Sequence, residues 1–520
     1  GRNLDRNRFV MTNTIDLYAN YNRKIGEDFE LGAMVGHSFL KTRSRTSYID
    51  AQNYPSPAFD VASVAANIVD ASAGLSEYAI ESYFARLSLA YKDRYVVNAT
   101  IRTDGSSRFA PDCRWGWFPS VSVGWNVSNE SFWNAEKTDL KIRASYGRTG
   151  NQDGISNYGW QALISGGVNY GGQSGIAISS SGNDRLTWET ADQYNAGFDL
   201  SFLGGKINMI ADVYLKNTNN LLYSKPVHAT TGETSILSNI GSMRNKGVEF
   251  TINTHLNLGK VLWSSSFNIA RNVNKLTSLL EDDLLSIGAN RALKLGRTVG
   301  SWYIFRTDGI YQYDGEVPQA LYDKGVRAGD VKYWDRNGDG NITDDDRIVT
   351  GNPNPKFSGG WNNTFKYKGL ELSLFFTYSY GNDVYASWMI HGSKPGYTRS
   401  LLKAYADNRW TGPGTSDKYP RAIYSYSGWN GKNSTMYLTD GSFIRLRSVT
   451  LGYTFPQRLV SKIHLKGLRV YAQGDNVFLC SRYPGWDPET SVNLDPRFYG
   501  EDNDGVPQPR IFKLGVNITF

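Results

Sequence analysis

Cysteine, methionine and histidine are scarce in this chain: two, six and five among 520 residues. Cys113 and Cys480 lie far apart and in no CxxC spacing, so neither a disulfide framework nor a metal knuckle follows. His37, His228, His255, His391 and His464 form no HExxH or other ligand spacing, and no GxSxG occurs. Acidic pairs are common, but nothing in the pattern brings two together as glycosidase carboxylates. No catalytic residue is expected. No apolar run nears the roughly 18 residues that a membrane-spanning helix needs. Basic blocks are missing too: 56 Lys and Arg interleave with 49 Asp and Glu, net +7, with no nucleic-acid motif. Gly1 opens onto polar sequence without an initiator Met or signal peptide, so a mature, processed or fragmentary chain is expected.

What is abundant is glycine (53) and aromatic residues (33 Tyr, 23 Phe, 14 Trp). Mean hydropathy is −0.44, which suits a soluble protein. It equally suits a transmembrane β-barrel, whose strands alternate apolar and polar residues. That period of two is the strongest local signal. Phe512, Leu514, Val516, Ile518 and Phe520 share one face of the closing segment, against Lys513, Gly515, Asn517 and Thr519. The split recurs at Val248–Leu258, at Leu140–Gly147 and at Val121, Val123, Trp125 and Val127.

Connections sort into two kinds. The chain turns quickly at 22–28, 91–94, 203–206, 257–260 and 367–369. Long excursions fall at about 42–76, 152–187, 217–245, 272–356, 381–442 and 479–510. Short turns at one end and long loops at the other describe an outer-membrane barrel, and a sandwich has no reason to segregate them. Tyr21, Tyr91, Trp125 and Tyr453 near strand ends suit interfacial aromatic girdles. Walking back from a final descending strand at 511–520 counts about 15 strands, the first near 9–22. The fold class expected is therefore all-β, an antiparallel transmembrane β-barrel over 1–520. An odd count starting downward implies a chain that begins mid-barrel.

Several segments resemble the SusC/RagA family of TonB-linked outer-membrane transporters. They are Arg102-Thr-Asp-Gly-Ser-Ser-Arg-Phe109 with Trp117–Trp125 and Glu130-Ser-Phe132; Leu140–Gly147 with Thr149-Gly-Asn-Gln152; Asn245-Lys-Gly-Val-Glu249; and Gly441-Ser-Phe-Ile-Arg-Leu-Arg447 with Leu451-Gly-Tyr453 and Pro456. Terminal Phe520 matches the family's barrel-insertion signal. Ala110 and Cys113 depart from the family's usual Gly and polar residue. The resemblance implies a 22-stranded barrel, so that about seven strands and the plug lie outside this chain, which looks like the C-terminal part. It further implies a Bacteroidota-like Gram-negative outer membrane with its lipid, a SusD-like lipoprotein lid, the TonB–ExbB–ExbD complex, and an oligosaccharide or, less often, a peptide ligand. A siderophore receptor, a passive porin and a surface carbohydrate-binding or adhesion β-protein are the rivals.

One motif carries metal chemistry. Asp335-Arg-Asn-Gly-Asp-Gly-Asn-Ile-Thr-Asp-Asp-Asp346 sets Asp335, Asn337 and Asp339 at loop positions 1, 3 and 5. Gly340 marks the sharp turn, Asn341 offers a carbonyl, and Asp346 stands where Glu is usual. A structural Ca²⁺ or Mg²⁺ is expected there, within the 272–356 excursion, as a lone loop. For a sugar ligand, aromatic platforms are expected in the outer loops: Tyr158, Trp160, Trp388, Trp410, Trp429 and Trp486.

Overall fold

The computed structural model describes residues 1–134, 138–228, 230, 232–233, 235–279, 284–395, 400–424, 428–493 and 495–520. Among the described residues fifteen long strands form one sheet in chain order. They are β1 (Arg2–Ile25), β2 (Phe29–Gln52), β3 (Asn67–Tyr91), β4 (Tyr95–Ser106), β5 (Trp115–Asn126), β6 (Thr138–Asn151), β7 (Glu189–Phe202), β8 (Ile207–Asn219), β9 (Ser242–Leu258), β10 (Val261–Ser278), β11 (Phe357–Tyr367), β12 (Leu370–Tyr380), β13 (Phe443–Thr454), β14 (Gly467–Ser481) and β15 (Ile511–Thr519). Every described pairing between them is antiparallel. The expected count of about fifteen is met. Among the described residues no helix is long and apolar enough to cross a membrane.

Turn chemistry explains the tight ends. Lys92 and Asp93 both take left-handed φ (54° and 53°), the geometry of a two-residue hairpin turn, and Arg94 N–H closes it onto the Tyr91 carbonyl at 2.9 Å. The expected tight turns all join consecutive strands. One expectation fails: 42–76 is not a loop. Strands β2 and β3 run in unbroken register from Phe29–Tyr91 to Asp50–Asp70, leaving only 53–66 outside the strands. Thr, Arg and Ser alternate over 42–47 on β2, and Ala, Ser and Gly fill 71–74 on β3, so neither segment carries a hydropathic period. Strand β1 likewise extends beyond the expected 9–22 at both ends. Val127 lies past the end of β5, buried in the one-turn helix Val127–Asn129.

By contact the chain divides into two compact units. The first comprises Gly1–Trp133, Lys141–Ala196 and Lys216–Ser242. Its apolar core is built from the loop residues Phe109, Ile155, Leu186 and Trp188 on Phe118 of β5, with Leu222 and Leu237 against them. The second comprises Asn134–Leu140, Gly197–Leu215 and Met243–Phe520. Its core also lies in loops, as two clusters built from 302–342, 383–390 and 436–438 with Tyr483. Strands supply a wall, and excursions supply the cores.

Candidate functional site

In the first unit, the sheet's two faces differ in kind. Odd-numbered residues of β3 to β5 expose an apolar band: Leu87, Leu89, Val97, Ile101, Val121 and Val123. Aromatic rings bound it at both ends. Beside the tight turns, Phe29, Tyr91, Tyr95 and Trp125 form a ladder across four strands, with neighbouring centroids 4.5, 6.4 and 6.3 Å apart. Glu130, in the following turn, accepts the Tyr95 hydroxyl at 2.6 Å and the Trp125 indole N–H at 3.1 Å. Arg94 pairs with it at 3.3 Å. Led by the Tyr95 hydrogen bond, these contacts hold the Glu130 carboxyl below its ordinary range.

At the opposite end His37 packs on Tyr83 (4.8 Å), and Tyr83 lies 6.1 Å from Trp115. Trp115 covers Gly105, where any Cβ would sit 2.8 Å from the indole. From Trp115 to Trp125 the strand rises about 33 Å, or about 25 Å at a tilt near 40°. That equals the height of an outer-membrane apolar band between aromatic girdles.

The even-numbered face is polar and cross-linked. Ser88 donates to Asn98 at 2.8 Å, and Arg102 binds Asp104 (2.8 Å) and Ser82 (2.9 Å). Parity flips at β6, where Tyr146 stands opposite Val121; on that outer face Arg148 grips Asp192 through two bonds of 2.8 and 3.0 Å, and the Tyr146 hydroxyl adds a third at 2.7 Å. Apolar outside and hydrogen-bonded inside is the division that a membrane channel wall requires.

In the second unit the long loops fold together at the strand ends. Arg291, fully buried, lies over the Trp302 ring at 4.1 Å and donates to the carbonyls of Gly300 and Tyr499, the latter at 3.0 Å. Burial pulls its pKa down to about 10. Asp330 is held by Arg421 (2.9 and 3.1 Å), Asn430 (2.9 Å) and the Arg327 N–H (2.9 Å). Arg445 and Arg447, two apart on β13, lie on the same side, and the register shifts by a β-bulge between Leu446 and Ser448. There Arg445 meets Asp487 at 2.5 Å and Glu489 at 2.7 Å, while Arg447 binds Glu489 and Thr377. The last loop, 482–510, is clamped to the wall.

Five of the six expected ligand aromatics make local contacts within their own unit. Tyr158 accepts the Glu77 N–H, and Trp160 donates to the Ser107 carbonyl. Trp388 donates to Tyr483, Trp410 to Gln312 and Trp429 to the Val331 carbonyl. Those three also flank the loop cores. Trp486 alone of the six is exposed, at 78%. Phe520 is exposed directly after β15.

The loop 335–346 closes on itself. Asp335 accepts the N–H groups of Gly338 and Gly340 at 2.7 and 2.8 Å. Asp339 accepts those of Asn341 (2.7 Å) and the Asn337 amide (3.0 Å). Asn341 takes a bond from Lys324, and fully buried Asp346 accepts the N–H groups of Arg336 and Thr343. Among the described residues no three His, Cys, Asp or Glu side chains converge as a metal-binding group.

A family profile described as TonB dependent receptor-like, beta-barrel, matches residues 2–477. The chain belongs to this family. TonB-dependent receptor P3 of Formosa agariphila is 30% identical over 98% of the chain and 52% of its own length. TonB-dependent receptor SusC of Bacteroides thetaiotaomicron is 29% identical over the whole chain and 51% of its own. The solved RagAB peptide transporter shares the fold, with a TM-score of 0.86 at 23% identity over 99% of the chain and 56% of that structure's chain. The chain thus spans about half the length of the relatives it matches. It is a TonB dependent receptor-like β-barrel of the outer membrane, and the relatives it matches are receptors.

The receptor's SusC/RagA-like motifs take on structural roles. In Arg102–Phe109, Arg102 ties strands together on the polar face, Arg108 stacks on Tyr78 at 4.1 Å, and Phe109 fills the loop core. Ala110 is buried beside it, and Cys113 and Cys480 are both free. Asp487 and Glu489 were not singled out from sequence. Two carboxylates in a long loop give no local sign of the arginines awaiting them.

Proposed function

We propose that the receptor takes part in energised import of an oligomeric nutrient too large for passive diffusion. A surface lipoprotein of SusD type would present the ligand, and the TonB–ExbB–ExbD complex would drive passage. The observation that carries this reading is the pair of aromatic belts about 25 Å apart, bounding an apolar outer face and backed by a polar inner one. SusC likeness favours oligosaccharides, the first reading.

A short peptide is a second reading, favoured by one cavity. It measures about 450 Å³ in the second unit's loops and is lined by Thr307, Met389, Lys418, Tyr419, Thr435 and Met436, with Asp417 also at its wall. One ring, two adaptable methionines and charges of both signs suit a peptide better than stacked sugars. The resemblance in fold to a peptide transporter agrees with this. Deleting the full-length gene and growing cells on a polysaccharide digest or on a peptide digest decides. Growth lost on one digest names the class, and growth unchanged on both discards the import reading.

A Ca²⁺ ion in the 335–346 loop belongs to the same proposal, as a structural stiffener of an extracellular excursion. Asp335, Asn337, Asp339, Asn341 and Asp346 would supply its oxygens. The left-handed φ of Gly338 and Gly340 supports such a tight loop.

A further inference from the structure

Strand β2 continues beyond the outer aromatic belt, on the face that carries the apolar band. Lys41, Arg43 and Arg45 follow one another there, in register above His37. Lys41 lies opposite Asn13 on β1 and Ala79 on β3; Arg43 opposite Met11 and Glu77; Arg45 opposite Phe9 and Leu75. One carboxylate therefore faces three cations. Glu77 touches Lys41 at 3.5 Å and Arg43 at 3.1 Å, and it leaves about half of each cationic side chain exposed. Arg45 has no partner among the described residues.

Height decides what this row meets. From Phe29 to Lys41 the strand rises about 40 Å, or about 30 Å at a tilt near 40°. The apolar band is about 25 Å tall, so Lys41 stands about 5 Å above it and Arg45, four residues on, about 15 Å above it, and the row runs from the headgroup layer of the outer leaflet outward. Flexible Lys and Arg stems can reach several ångströms along the wall from there. Exposed Phe9, Met11 and Leu75 interleave with the cations, giving acyl-compatible surface beside charge.

We propose that Lys41, Arg43 and Arg45 form a binding site for the phosphate-bearing headgroup of an outer-leaflet glycolipid. Guanidinium forks match phosphate oxygens in pairs, and the lysine adds a mobile point charge. Glu77 holds two of the three cations upright and weakens the site by one charge. The site is independent of which nutrient the receptor imports.

The test uses the full-length receptor purified from outer membranes and delipidated. Binding of phosphorylated lipid A in detergent micelles is compared with binding of the same lipid A after phosphatase treatment. The K41S/R43S/R45S variant is expected to bind the phosphorylated lipid about 30-fold more weakly and the dephosphorylated lipid unchanged. K41R/R43K/R45K, which keeps three charges but only one guanidinium fork, restores binding in part, and Glu77→Gln tightens it. Equal affinity for both lipids, or an unaffected triple serine variant that still shows heat-modifiable folding, overturns the site. Displacement by millimolar inorganic phosphate alone would assign it to free phosphate and overturn the lipid as occupant.

Discussion

The Arg445 guanidinium donates to the Asp487 carboxylate at 2.5 Å, with both side chains more than nine-tenths buried. A buried pair of this kind is costly to break from one side, because the survivor keeps its charge without compensation. Arg445→Met should therefore cost about 3–5 kcal/mol of loop docking, and Asp487→Asn less, because Glu489 still faces Arg445 at 2.7 Å. Hydrogen exchange and limited proteolysis of 482–510 in the full-length receptor would read it. The double variant should recover much of the loss, since it leaves no orphan charge. Equal protection in all three variants would show that the loop is held elsewhere.

Glu130 gives the receptor a pH-dependent element at its tight-turn end. Its carboxyl is held below the ordinary range by the Tyr95 hydroxyl, the Trp125 indole and Arg94. The folded state therefore binds a proton less readily than the unfolded one. Its contribution is complete above the unfolded carboxyl's value, near pH 4.3, and fades as pH falls through the lower folded value. Heat-modifiability measured from pH 7 down to pH 3 should fall more steeply for the natural receptor than for Glu130→Gln. Parallel curves would mean that the contacts are indifferent to charge.

Much of the wall was readable because a strand exposed to lipid on one face must alternate. Phe512 to Phe520 did so, and β15 exposes those residues. Tight turns were readable from Asp, Asn and Gly. The outer half of β2 and β3 was not, because Thr, Arg and Ser alternate over 42–47 and Ala, Ser and Gly fill 71–74, which leaves the period invisible. The loop cores were hidden for another reason. Trp160, Trp410 and Trp429 look like ligand platforms in sequence, yet their N–H groups find loop carbonyls and amides within hydrogen-bonding distance. An aromatic residue's job in a long loop depends on distant partners, as Trp410 and Gln312 illustrate.

The 335–346 loop separates a metal effect from a purely structural one. Asp346 accepts two backbone N–H groups while fully buried, so Asp346→Ala should cost about 1–3 kcal/mol of local stability with or without calcium. The proposed ion predicts a second behaviour in the natural receptor. Millimolar Ca²⁺ should slow protease cleavage within 335–346, and a chelator should reverse it. Asp339→Ala should abolish that response. A loop equally resistant with calcium and with chelator would remove the ion from the account.

Trp486 and Trp429 should respond to truncation in opposite ways. Trp429 packs edge-on to Tyr333 at 5.5 Å, donates to the Val331 carbonyl at 2.9 Å and flanks a loop core. Trp429→Ala should therefore cost about 3–5 kcal/mol, seen as a lower unfolding midpoint. Trp486 is 78% exposed and so has little packing to lose. If it is a ligand platform, Trp486→Ala should leave the midpoint unchanged and weaken binding of the active digest by about 5- to 10-fold, the value of one aromatic contact. Binding by the full-length receptor that survives Trp486→Ala intact would discard the last of the six aromatic candidates that is free of a structural duty.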